Sequence, residues 1–190
     1  MTETQTPPAY AIEGPVRESR FGSVGFRLAD PLAPSACRKA ARQLLHTFRL
    51  EWVPDLVEDV EVMVSELVTN ACNHTGDDAP FPAGSLTIWH PNTRLIIAVH
   101  DKNPYQPWRE IHQARKGGMS EQARSYFENG RGLAIVHELA QRHLGTLDTA
   151  PDGDKRIPGK VITVNMLLPN VSWSHTFRDP WRNRTVTGRP

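Results

Sequence analysis

Cysteine, charge of one sign and long apolar runs are all scarce in this 190-residue chain, and each shortage removes a class of protein. Two cysteines, Cys37 and Cys72, cannot build a disulfide framework and have no second pair at zinc-ligand spacing, so both read as half-buried thiols. Lys and Arg total 22 against 21 Asp and Glu, which leaves no overall positive field to hold nucleic acid or an anionic membrane. No apolar stretch approaches the ~20 residues that cross a bilayer. The start MTETQTPPAY lacks the basic flank and apolar run of a secretory signal, so a cytoplasmic protein is expected. Neither GxxxxGKS nor GxxxxGKT occurs, which excludes the ordinary P-loop. His137–Gln141 begins like a zinc-protease motif, but Gln141 stands where its second histidine belongs. With 38% hydrophobic and 23% charged residues, what remains is an ordinary globular composition of one domain.

What is present is a succession of short periodic segments. Residues 1–22 carry Pro7, Pro8 and Pro15 without periodicity and read as a flexible arm. Val24, Phe26 and Leu28 alternate as a strand that Asp30–Pro34 breaks. Ser35 is the expected N-cap of a helix with the stripe Cys37, Ala40, Ala41, Leu44 and Phe48. A second helix is expected from Pro54 to about His74, with Asp55, Glu58 and Asp59 in its first turn and Val57, Val60, Val64, Leu67 and Ala71 on one face. Leu86 and Ile88, then Leu95, Ile97 and Val99, form a hairpin around His90–Thr93 that ends at Asp101. Residues 103–129 lack a period and contain Pro104, Pro107, Gly117 and Gly118, as a long lid-like connection does. A third helix runs from Gly132 to about Leu144 with Leu133, Val136, Ala140 and Leu144 on one side and Gly145 as C-cap. A second hairpin turns at Pro151–Asp154 and returns through Ile162, Val164, Met166 and Leu168. The expected fold is an α/β two-layer sandwich: a mixed, mainly antiparallel sheet with three helices on one face, spanning 23–169 and followed by a tail over 170–190. Arg178, Arg182, Arg184 and Arg189 flank Trp181 in that tail, a pattern that suits either a solvated segment or a contact with a partner.

Three places carry chemistry. In SELVTNACNHTG, Glu66, Asn70, Asn73 and His74 recur at spacings of three and four and share a helix face. A carboxylate one turn from a carboxamide can pair a general base with a hard oxygen ligand for Mg²⁺, although a solvated face has the same pattern. Asp101 ends a strand of LIIAVHD type, where its carboxylate can accept an amine or simply shape a turn. Gly130, Arg131 and Gly132 precede a helix whose free amides suit phosphate, as do many structural turns.

These three elements in this order resemble the GHKL ATPase superfamily, and most closely the small anti-sigma factor serine kinases and single-domain ATP-binding regulators of actinomycetes. SELVTNACNH is similar to their N box, VHDKNPYQP to the proline-containing form of the first glycine box, and GRGLAIVHELA to the second glycine box. The similarity runs over about residues 24–168. It implies a Bergerat fold that binds ATP and Mg²⁺, with Glu66 as catalytic base, Asn70 as metal ligand and Asp101 on the adenine amine. Asn73, Gly130, Arg131, Gly132 and Leu133 would complete the nucleotide site, with residues 104–129 as the lid and Arg115, Lys116 or Arg124 as its cations. Asn103 and Tyr105 stand where the DxGxG form has glycines, so contacts at those two positions are not carried over.

The resemblance implies a regulator that phosphorylates a serine on an antagonist protein and sequesters a sigma factor, with no direct nucleic-acid or membrane contact. Its competitor is a non-catalytic, nucleotide-dependent protein-binding module. If the chain pairs with a second copy, the first strand and first helix are where the contact is expected. A sensor histidine kinase fits poorly, because no phospho-accepting helical hairpin precedes the ATPase-like region.

Overall fold

A computed structural model describes residues 20–74, 83–91, 93–103, 105–115, 131–152 and 159–168. Five strands, β1 (Arg20–Arg27), β2 (Ala83–His90), β3 (Arg94–Asp101), β4 (Thr146–Pro151) and β5 (Lys160–Leu167), form one sheet in the order β1-β2-β3-β5-β4. All four pairings are antiparallel, so the sheet is not mixed as expected. Hairpins join β2 to β3 and β4 to β5, whereas β1 pairs with β2 and β3 with β5 across helical connections that return the chain antiparallel. The helices are α1 (Ala33–Thr47), α2 (Leu56–His74), α3 (Trp108–Arg115) and α4 (Arg131–Arg142). The α/β sandwich is as expected, but α3 is an additional helix inside the segment read as a structureless connection.

The apolar face of the sheet requires this arrangement. Leu86, Ile88, Leu95, Ile97, Val99, Ile162, Val164 and Met166 all point to the same side and are almost fully buried. Each buried Leu or Ile of this kind contributes about 1.5–3 kcal/mol relative to exposure. Val57, Val60, Val64, Leu67 and Ala71 of α2 cover the middle of that face, as their spacing predicts. The α1 side adds Cys37, Ala41, Leu45 and Phe48, and α4 adds Leu133, Val136 and Ala140. Cys37 is therefore fully buried rather than half-buried, and burial followed by the nearby Cys72 thiol pushes its pKa up to about 11.

Several boundaries differ from the sequence reading for physical reasons. Strand β1 starts at Arg20, pairing with His90, so residues 20–22 belong to the sheet rather than to the arm. Helix α1 starts before Ser35: Pro34 occupies its first turn, where a missing N–H is harmless, and Asp30 Oδ1 accepts the Leu32 N–H at 2.9 Å on the way in. Helix α2 begins at Leu56, because Asp55 takes a left-handed φ of 58°. The turn expected at Pro151–Asp154 lies partly outside the described residues.

The end of α4 contains the clearest local surprise. Gly145 N–H donates to Ala140 O at 2.8 Å and Leu144 N–H to Gln141 O at 3.0 Å, the paired bonds of a Schellman cap. The left-handed residue of that cap is Leu144, with φ 49°, and not Gly145. Gly145 is needed for space instead, since a Cβ there would lie 2.7 Å from Asn165 O and 2.8 Å from Ala140 O. Leu144 does not join the apolar stripe and is 78% exposed. Helix α1 ends in the same way, with Arg49 left-handed and Leu50 N–H on Leu45 O at 3.0 Å. Because a left-handed non-glycine residue costs about 1–2 kcal/mol, Leu144→Gly is expected to stabilise the fold by about 1 kcal/mol. Urea unfolding checks this, and a midpoint that stays put or falls at unchanged m-value contradicts the cap assignment.

Candidate functional site

Helices α2 and α4 run antiparallel, and contacts at both ends hold them in register. At the start of α2, buried Asp59 accepts hydrogen bonds from Arg142 Nη1 at 3.2 Å and His143 Nε2 at 3.0 Å, at the end of α4. Seven residues further along α2, Glu66 and Asn70 meet the opposite end of α4. A Cβ on Gly132 would sit 2.6 Å from Glu66 Oε2 and 3.6 Å from Asn70 Nδ2. Glycine at 132 thus opens the space into which the Glu66 carboxylate projects. Both polar side chains are half-buried, and Asn73, one turn on, is exposed.

Asp101 faces the same layer from below. It ends β3 on the inward side and is 1% exposed. Its Oδ1 accepts a hydrogen bond from the Asn103 N–H at 2.8 Å and from Lys160 Nζ at 2.9 Å. The Cys72 thiol on α2 is pushed up first by burial and then by the carboxylates of Asp30 and Asp101, which places Asp101 within electrostatic reach of the last turns of α2. Asn103 repeats the device, its Oδ1 accepting the Tyr105 N–H at 2.9 Å. Two successive Asx turns therefore bend the chain where the DxGxG form uses glycines, and neither Asn103 nor Tyr105 needs a positive φ.

The structure thus brings Glu66, Asn70 and Gly132 together and sets Asp101 beneath the C-terminal half of α2. Arg131 is the exposed first residue of α4, and Leu133 turns its side chain into the core, leaving only its backbone available at the helix start. His74 is the last residue of α2. Gly130, Lys116 and Arg124 lie outside the described residues, as do the side chains of His74 and Arg115. Among the described residues no group of three or more His, Cys, Asp or Glu could cage a metal ion. An amide oxygen from Asn70 beside one carboxylate suits instead a divalent cation whose other ligands are phosphate and water.

Sequence reasoning missed two contributors. Lys160 sits in phase with Ile162, Val164 and Met166, and that phase alone marks it as inward-facing. Gln106, in the segment before α3, accepts the hydroxyl of buried Thr149 at 2.9 Å and ties the start of the connection to β4. No periodicity announces that contact. A cavity of about 410 Å³, lined by Pro54, Asp55, Asp59, His143 and Leu144 among others, lies at the far ends of α2 and α4 and shares no residue with this group.

The family model described as "Histidine kinase-like ATPase domain" matches residues 29–156. The chain therefore belongs to the histidine kinase-like ATPase family. No curated protein matches it. Among solved structures, it is similar to the mycobacterial sensor histidine kinase MprB, at 19% identity and a TM-score of 0.47, covering 76% of this chain and 97% of that one. It is also similar to the Acinetobacter baumannii histidine kinase AdeS, at 17% identity and a TM-score of 0.39, covering 78% and 68%. Among the described residues, no helix is long and apolar enough to cross a membrane.

The contact between Gly132 and Glu66 can be tested without any ligand. In isolation Gly132→Ala favours the helix by up to about 1 kcal/mol, but here its methyl group displaces the Glu66 carboxylate. A double-mutant cycle of Gly132→Ala with Glu66→Ala is expected to show a coupling of about 0.5–1 kcal/mol in chemical denaturation. Additive effects of the two substitutions would mean that the side chains do not meet.

Proposed function

We propose that the chain is an ATP- and Mg²⁺-binding regulatory kinase of the anti-sigma factor type, which phosphorylates a serine on an antagonist protein and sequesters a sigma factor. The observation that carries this reading is the meeting of Glu66, Asn70 and Gly132 between α2 and α4 of a histidine kinase-like ATPase domain. Asp101 at the neighbouring strand end supplies an acceptor for the adenine amine. The first amides of α4, at Arg131, Gly132 and Leu133, together with Gly130, offer donors to phosphate oxygens. Asn70 would hold Mg²⁺ through its amide oxygen, with Asn73 beside it, and the ion supplies charge neutralisation at the β- and γ-phosphates when bound.

Glu66 is the general base. Its carboxylate takes the proton of the serine hydroxyl as the hydroxyl oxygen bonds to the γ-phosphorus and the bond to the ADP leaving oxygen breaks. Arg115, Lys116 or Arg124 would offset charge on the transferring group from the connection that follows Asp101. The protein acts in the cytoplasm on protein partners.

A second reading, a nucleotide-dependent binding module without transfer, is favoured by one observation: Asp101 Oδ1 already has two donors. Calorimetric titration with ATP tests the site that both readings share, and phosphate transfer separates them. Mg²⁺-dependent binding is expected in the wild type and should be lost in Asn70→Ala and Asp101→Ala. Glu66→Gln is expected to keep ATP affinity while phosphate transfer falls about 100-fold or more, the usual contribution of a positioned base. Unchanged transfer in Glu66→Gln would remove that residue from the chemistry. Partner binding that responds equally to ATP and to a non-hydrolysable analogue, with no phosphorylated product, would establish the module.

A further inference from the structure

Lys160 is the residue of this region that the reading above leaves unused. It is the direct cross-strand partner of Asp101, β5 against β3, and both point to the helix-covered side. The two side chains are 4% and 2% exposed, with Nζ 2.9 Å from Oδ1. Gly159 brings the strands together there, since a Cβ at that position would overlap the Asp101 carbonyl. An ammonium group has three N–H donors, and among the described residues Asp101 is the single acceptor that Lys160 meets. A buried cation is expensive unless its remaining donors find acceptors.

Asp101 offers the complementary half. Its Oδ1 is engaged by Lys160 and by the Asn103 N–H, so Oδ2 is the oxygen left to receive a ligand donor. The pair therefore presents an acceptor and a donor side by side. The Watson–Crick edge of adenine has the matching sequence, an exocyclic amine donor next to the ring acceptor N1.

We propose that Lys160 is a specificity-determining residue of the nucleotide site, donating from Nζ to N1 of the adenine ring while Asp101 accepts the adjacent amine. The proposal rests on the ATP-binding reading above and adds to it the residue that reads the ring nitrogen. A lysine that only locks β3 to β5 would affect all nucleotides alike, whereas a lysine that donates to N1 responds to the removal of that atom.

The test uses the full chain and two ligands, ATP and 1-deaza-ATP, in which N1 is replaced by carbon, titrated calorimetrically against the wild type and Lys160→Met. The wild type is expected to bind ATP about tenfold more tightly than 1-deaza-ATP, and Lys160→Met should bind the two equally. Equal affinities in the wild type, a comparison that needs no folded variant, would overturn the role of Lys160 while leaving ATP binding intact. Discrimination that survives in Lys160→Met would overturn it as well. A wild type that binds neither ligand would defeat the nucleotide reading itself, and this assignment with it.

Discussion

A single antiparallel sheet with one apolar face must be roofed, and the structure follows from how α2 does it. Its Val57, Val60, Met63, Val64, Leu67, Val68 and Ala71 give the helix an apolar underside over β2 and β3. The same helix carries a carboxylate and a carboxamide one turn apart on a flank that stays half-buried. The 3.6-residue period makes both roles compatible, since residues at i and i+4 share one face while the intervening ones point elsewhere.

Helix α4 is positioned relative to α2 by two unlike contacts. Asp59 with Arg142 and His143 is a polar anchor; the carboxylate and the imidazole are each about nine-tenths buried, so losing Asp59 would strip His143 Nε2 of its acceptor in a poorly solvated place. Gly132 against Glu66 is a contact of the opposite kind, defined by the absence of a side chain. One end fixes the register and the other turns that register into proximity between the start of α4 and the polar flank of α2. The bidentate Arg42–Glu61 pair joins α1 to α2 on the surface, where such a pair adds little.

Much of this was legible in the sequence wherever burial and period coincide. The stripes of α2 and of β3 and β5 were read residue by residue because alternation of two and of 3.6 leaves little choice of face. Glu66, Asn70 and Asp101 were found from motif order, and Gly132 from its place before a helix. The mixed sheet was an expectation without a physical requirement behind it. Helix α3 escaped because Trp108–Arg115 is short, mostly polar and embedded between prolines and glycines, so its packing against α4 and β4 is decided by tertiary contact. Leu144 escaped because a glycine beside it offered itself for the left-handed place, while the space at 145 had a stronger claim on glycine. Lys160 escaped because charge suppresses the reading of an inward position even when the phase demands it.

The Asp101–Lys160 pair is where fold and function separate most cleanly. A buried ion pair is a poor stabiliser, because desolvating both groups offsets most of their attraction, and an apolar pair of similar volume generally serves a fold as well. The next inward-facing pair of the ladder, Val99 on β3 opposite Ile162 on β5, is filled by such residues. At Asp101, the last residue of β3, and Lys160, the first of β5, the apolar sequence stops beneath the C-terminal half of α2. The core has no use for charge at that register. The proposed nucleotide would, since its adenine edge offers an acceptor to Lys160 and a donor to Asp101 Oδ2.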